Sequence, residues 1–283
     1  MKKYILLFAS VLFFLTACEE IPPKVTGSMG GGGGNTPNPV EDQKRQVIIE
    51  EFTGVRCVQC PAGAAFIQDL LAIHGEQLIA VSIHAGDFTN PYSGSQYDFR
   101  TPEGTQLLSY LDQPFGFPSA VVNRKLFPGQ FDLQLGQGDW AGYIASEKEV
   151  APKVRINIEP DFNLGTRKLN ADVTLYMDEA IASSDVRLSI MITENNIKDW
   201  QITPASSTPQ PDYNHRHVLR GMLTAYDGDP VTGTLSAGAE IKKTFSYNLP
   251  AGWKEENCEI VAIVSLNGAS KEVLQAHQVH LIK

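Results

Sequence analysis

Two cysteines three residues apart, Cys57 and Cys60, stand in the stretch EEFTGVRCVQCP (residues 50–61), directly after an apolar β-type run. Such a pair supports three chemistries: a dithiol that exchanges with other disulfides, a clip for a metal ion, or a structural staple. A pair lying between a strand and a helix meets the unpaired backbone N–H groups of the helix N-terminus. Those groups stabilise a thiolate on the first sulfur, and cysteine pKa values in such motifs fall from about 8.5 to roughly 3.5–7.5. Cys57 then attacks, and Cys60, one turn into the helix, resolves the mixed disulfide. A four-ligand zinc site normally wants a second close pair. The other cysteines, Cys18 and Cys258, do not form one, so neither a metal nor a cofactor is expected.

The elements needed to position the pair are legible around it. Gln46–Phe52 reads as a strand, and PAGAAFIQDLLAIH (61–74) gathers Ala65, Phe66, Leu70 and Ile73 on one helical face, stopped by Gly75. Leu78–His84 reads as a buried strand, and Ala85–Arg100 as a long polar and aromatic loop. A helix is predicted from about Thr101 to Leu111 with Pro102 in its first turn, a strand at Ser119–Asn123, and a further helix within Phe131–Val150. The order β-α-β-α-β-α argues for an open α/β sheet. From Pro152 onward about seven β-type runs follow, with alternation in KVRINIEP, RLSIMITEN and EIVAIVSLN. That pattern predicts an immunoglobulin-like (Ig-like) β-sandwich over residues 151–283, after an α/β domain over residues 46–150.

The N-terminus speaks to compartment. MKKYILLFASVLFFLTAC opens with Lys2 and Lys3 and continues in an apolar run from Tyr4 to Leu15, too short for a span of roughly 20 residues but fitting a secretory signal over residues 1–17. Its end, Leu15-Thr16-Ala17-Cys18, resembles the lipobox of bacterial lipoproteins. The resemblance implies acylation of Cys18 and a membrane anchor of stacked acyl chains, each buried CH2 contributing ~0.8 kcal/mol. Residues 18–45 are rich in Gly, Pro, Ser and Asn and read as a flexible tether. The formal net charge is −9 and the pI about 5.2. With no dense Lys/Arg cluster to neutralise phosphates, nucleic-acid binding is not expected.

The segment EFTGVRC resembles the strand-to-active-site stretch of the thioredoxin family. That resemblance implies a buried acid six residues before the first cysteine, the position of Glu51, serving as proton acceptor for the resolving cysteine. It also implies a cis-proline facing the pair, for which Phe117-Pro118 in GFPSAVVNR fits, offering backbone polar groups to an extended substrate peptide. The chain departs from the family in placing Arg56 before the first cysteine and Val58-Gln59 between the two. Arg56 is expected to favour thiolate at Cys57. Lipobox, EFTGVRCVQCPAG, cis-proline candidate and β-rich tail together are similar to the Omp28-related outer-membrane lipoproteins, implying a cell-envelope location with surface exposure open. The expected function is thiol–disulfide exchange on envelope protein thiols by a thiol–disulfide oxidoreductase. The alternative is an adaptor whose Cys57–Cys60 disulfide is structural and whose sandwich or loops bind a peptide, glycan or partner protein.

Other residues invite a reading. His215 and His217 in NHRHVLR are expected to share a strand face, with no third metal ligand nearby. The preceding TPASSTPQPDY reads as a Pro/Ser-rich loop, Cys258 as a buried small hydrophobe, and His84 as a structural polar residue at the end of its strand.

Overall fold

Strand β1 (Val47–Thr53) is buried at every position, and its alternation serves two layers at once. Ile48 and Phe52 enter one apolar core, and Val47 and Ile49 enter another on the opposite face. The structure, a computed structural model, describes residues 40–183 and 185–282. After β1 come α1 (Cys60–His74), β2 (Leu78–His84), α2 (Pro102–Tyr110), β3 (Ser119–Val122) and α3 (Gln137–Glu147). These match the expected elements to within a few residues. Thr101 caps α2 by accepting from the Gly104 N–H, and Pro102 sits where its missing N–H costs nothing.

The rest is strand: β4 (Val154–Asn163), β5 (Lys168–Met177), β6 (Val186–Glu194), β7 (Ile197–Thr203), β8 (Ser206–His215), β9 (Val218–Met222), β10 (Asp229–Pro230), β11 (Glu240–Asn248), β12 (Cys258–Leu266) and β13 (Val273–His280). The fold is mixed α/β, mostly strand, in several sheets. The principal sheet runs β13-β12-β6-β9-β2-β1-β3, with β10 beside β6. β1 and β2 are parallel, as a helical crossover requires, and β3 returns antiparallel to β1. α2 covers one face of this region, while α1 and α3 cover the other.

The pairing departs from the expected separation near Ala151. β9 lies parallel to β2 through Ser82 and Val218, and the Ser82 N–H donates to the His217 carbonyl at 2.7 Å. Strands from both sides of residue 151 therefore share one sheet. The second sheet, β11-β5-β4, packs over β6 and β12 through Ile156, Val173, Leu175, Ile190 and Ile260. β12 is buried on both faces, since Val261 and Ile263 feed the core under α2 while Ile260, Ala262 and Val264 feed the other. The alternation expected of a half-exposed strand is replaced there by burial on both sides.

Two further expectations are corrected. The tether was expected to run to Arg45, yet residues 43–45 are part of the packed body. The Gln43 side chain pairs with both backbone groups of Ile156, at 2.9 and 2.8 Å. The buried Arg45 guanidinium donates to the carbonyls of Val273, at 2.6 Å, and Leu274. The expected loop TPASSTPQPDY belongs instead to the β7–β8 hairpin. Pro209 and Pro211 are tolerated because β8 pairs on one side only. The lipidation candidate Cys18 and the signal segment lie outside the described residues.

Candidate functional site

The site is built where β1 hands over to α1. Gly54 permits the turn: a Cβ there would stand 2.6 Å from the Phe88 carbonyl oxygen. The Arg56 N–H then donates to that same oxygen at 2.8 Å. Cys57 and Cys60 are joined in a disulfide, with 4% and 1% of their surfaces exposed. No side chain caps α1; instead the Cys60 N–H donates to the Cys57 sulfur at 3.1 Å. One of the orphan donors of the helix N-terminus thus ends on the first sulfur, the arrangement that favours a thiolate there once the bond opens.

Arg56, next to Cys57 in the chain, reaches across to the loop that follows β2. Its guanidinium donates to the carbonyls of Asn90 and Pro91, at 2.7 and 2.9 Å, and lies 4.2 Å from the centre of the Tyr92 ring. It fastens the 85–101 loop beside the pair.

Adjacent acids on β1 have opposite fates because successive side chains point to opposite faces. Glu50 turns to the α2 face and is held bidentately by buried Arg124, at 2.8 and 2.7 Å. Glu51 turns to the α1 face with 1% of its surface exposed and no cation at hand. Its one partner is the Ser82 hydroxyl, donating to Oε2 at 3.1 Å, while Oε1 has none. Burial pushes Glu51 up to about 8, the Ser82 hydrogen bond acting the other way. A carboxyl in that range passes protons near neutrality.

Gly63, one turn after Cys60, lets α1 settle onto these groups. A Cβ on it would lie 2.9 Å from Glu51 Oε1 and 2.8 Å from Pro118 Cγ. The Phe117–Pro118 peptide bond is cis. The Phe117 ring meets the Phe88 ring at 5.9 Å, and Val58 and Phe88 are among the exposed large apolar residues. Cys57, Cys60, Glu51 and Pro118 are thus gathered around the first turns of α1, and Phe117 stands beside them.

Sequence reasoning missed the contribution of the β7–β8 hairpin. Buried Gln201 donates through Nε2 to the carbonyls of Cys57 (3.1 Å) and Gly54 (3.3 Å), and the Ile202 N–H donates to the Val55 carbonyl at 2.9 Å. Asp199 accepts from the N–H groups of Gln96 and Tyr97, at 3.3 and 2.8 Å. The hairpin therefore clasps both the cysteine loop and the 85–101 loop. It also brings Tyr213 and His215 into a cavity of about 270 Å3 that Glu51, Cys60, His84 and His217 line as well. Contrary to expectation, the two histidines do not share a strand: β8 ends at His215, and His217 takes a positive φ of 53° before β9. His215 and His217 are both pushed down to about 4, first by burial, and His84 well below its ordinary value for the same reason. All three are neutral imidazoles at neutral pH. Among the described residues no three His, Cys, Asp or Glu side chains converge as a metal site. Cys258 is buried and free, its thiol pushed up to about 12 by burial, so it is unreactive.

A family model described as outer membrane protein Omp28 matches residues 107–283, more than half of the chain. The chain belongs to the Omp28 family. That membership makes it an outer membrane lipoprotein of the cell envelope. No curated protein matches it. Among solved structures, HBP35 of Porphyromonas gingivalis is similar at a TM-score of 0.68 and 20% identity, over 85% of this chain and 76% of that one. A structural-genomics protein from Agrobacterium tumefaciens is similar at a TM-score of 0.51 and 12% identity, over 85% and 96% respectively. Both likenesses concern the fold. A domain of the outer membrane lipoprotein Omp28 from Porphyromonas gingivalis aligns at a TM-score of 0.32 and 17% identity, over 46% and 88%.

Proposed function

We propose that this Omp28-family lipoprotein exchanges disulfides with protein thiols of the cell envelope through a thioredoxin-like site. The observation that carries the reading is the Cys60 N–H donated to the Cys57 sulfur at the head of α1. In the reduced protein, the Cys57 thiolate attacks one sulfur of a substrate disulfide and expels the other as a thiolate. Glu51 takes the proton of Cys60. The Cys60 thiolate then attacks Cys57, closing the disulfide and releasing the second substrate thiolate. The substrate gains the two electrons that the pair loses, and the reverse sequence oxidises a substrate dithiol. The half-exposed Phe88 and Val58, with the Phe117-Pro118 segment, offer an apolar seat for an extended peptide beside the pair. Support for the thioredoxin-like reading comes from parallel β1 and β2, antiparallel β3, and an acid buried beneath the first turns of α1.

Insulin reduction by the full-length protein in detergent tests this. The parent is expected to accelerate it, and Cys57→Ser to return it to the uncatalysed rate. Equal rates for both proteins would overturn the reading.

A second reading is favoured by the clasp of Gln201 and the low exposure of both cysteines. In it the disulfide is a staple, and the 85–101 loop or the C-terminal sheets, read as an Ig-like sandwich, hold a peptide, glycan or protein. Membrane attachment through a lipid on Cys18 is common to both readings. Cys18→Ser is expected to shift the protein from the membrane to the soluble fraction, and retention in the membrane fraction would exclude it.

A further inference from the structure

The walls of the cavity beside Cys60 include Glu51, Ser82 and Tyr213, Ala64 and Gln68 from α1, and the three histidines His84, His215 and His217. Its wall carries more hydrogen-bonding capacity than the protein satisfies. Glu51 Oε1, His84 Nδ1, His215 Nε2 and His217 Nδ1 are buried and find no partner among the protein's own groups. Each such group left bare costs on the order of 1–3 kcal/mol. Folded proteins meet that demand with ordered water wherever a polar cavity has room for it. A volume of about 270 Å3 lies below the roughly 300–1,000 Å3 of small-molecule pockets. It is nonetheless ample for several waters, one of which needs only about 10–15 Å3 of such space. A metal ion is the poorer occupant, because no three ligating side chains converge among the described residues.

Glu51 has a specific need for such a chain of water. It must change protonation in every exchange cycle, yet it is almost wholly buried. The groups facing it are Ser82 from β2, Cys60 from α1 and Tyr213 from β8, with Pro118 across Gly63. Burial first, and the charge of Glu51 after it, raise the pKa of the Tyr213 hydroxyl, so the two groups lie within electrostatic reach. Further along the wall, the His217 ring nitrogen Nε2 meets Gln68 Nε2 at 3.1 Å, and His217 is partly exposed. Arg216 beside it is exposed.

We propose that this cavity is a hydrated proton path between Glu51 and solvent, its outer wall supplied by residues 213–217 and its outer end marked by Gln68 and His217. Its use in catalysis rests on the exchange reading above. When a thiol reductant opens the pair, Cys60 leaves as a thiolate and takes the proton of Glu51. The Glu51 carboxylate then takes a proton from bulk water along the path. Closing the disulfide sends a proton outward by the same route.

The test reads proton access directly. Full-length protein is transferred rapidly from H2O to D2O near neutral pH, and the infrared band of the protonated Glu51 carboxyl, identified by its loss in Glu51→Gln, is followed. The parent band is expected to shift within the mixing time. Ala64→Leu, which places apolar atoms in the cavity, and Gln68→Leu, which removes the polar group at its outer end, are each expected to slow the shift at least ten-fold. Both variants exchanging as fast as the parent would overturn the proposal. So would a parent band that shifts no faster than the backbone amides of β1 exchange. Rapid exchange in a protein inert toward insulin would sink the exchange reading alone. Slow exchange in an active protein would sink the path alone.

Discussion

At the scale of single residues, Glu51 is the group on which the chemistry turns. The sequence offers two adjacent acids, and composition cannot tell them apart. Their offset from Cys57 singles out Glu51 through family resemblance, and the structure supplies the physical difference. Arg124 neutralises Glu50, whereas Glu51 has only the Ser82 hydroxyl. The part played by Arg124 was not legible, because its pairing spans 74 residues of chain and requires both groups to be wholly buried. The raised Glu51 carboxyl has a consequence for stability. An unfolded glutamate titrates near about 4.3, and folded Glu51 near about 8. Between these values the folded state keeps a proton that the unfolded chain has lost. The stability present below the unfolded value is therefore lost as pH rises through the folded one. Glu51→Gln never ionises and escapes that loss. Its stability relative to the parent is expected to grow between about pH 5 and about pH 8, by at most ~1.4 kcal/mol per pH unit. Urea unfolding at several pH values checks this, and a pH-independent difference would contradict a buried, raised Glu51.

At the scale of elements, β1, α1, β2, α2 and β3 were legible because their signals are local: apolar runs, a stop at Gly75, and a proline in the first turn of α2. The β7–β8 hairpin was hidden by Pro209 and Pro211, which read as a loop but are harmless on a strand paired on one side. That hairpin decides how open the cysteine pair is. Gln201 ties down the carbonyls of Gly54 and Cys57, and Val55 packs with Ile197, Phe99 and Val218 in a small core of its own. Gln201→Leu leaves both carbonyls without that donor and loosens the loop. The variant is expected to lose about 1–3 kcal/mol of stability. Its disulfide is expected to be reduced by dithiothreitol several-fold faster than the parent's, read by quenched thiol labelling. An unchanged rate would show that the clasp does not limit access to the pair.

At the scale of the whole molecule, the sequence suggested a border near residue 151, since composition changes there from alternating strand and helix to strands alone. Composition does not report pairing. The joining of β9 to β2 passes through one register pair, Ser82 and Val218, which leaves no local signature. Its effect is large: the hairpin and the β8–β9 segment are carried by the C-terminal part of the chain, yet they wall the site that β1 and α1 create. The site is thus held by segments from both parts of the chain: β1, β2 and β9 in the principal sheet, and the separate β7–β8 hairpin over it. Membership of the Omp28 family places the molecule at the outer membrane, in a compartment where disulfides form and persist. The central claim is that Cys57 and Cys60 exchange there. The most direct measurement is the reduction potential of the pair in the full-length protein, equilibrated against glutathione or dithiothreitol buffers. The account predicts a value between roughly −270 and −120 mV, the range of exchange-active dithiols, and a value below about −300 mV, that of structural disulfides, would contradict it.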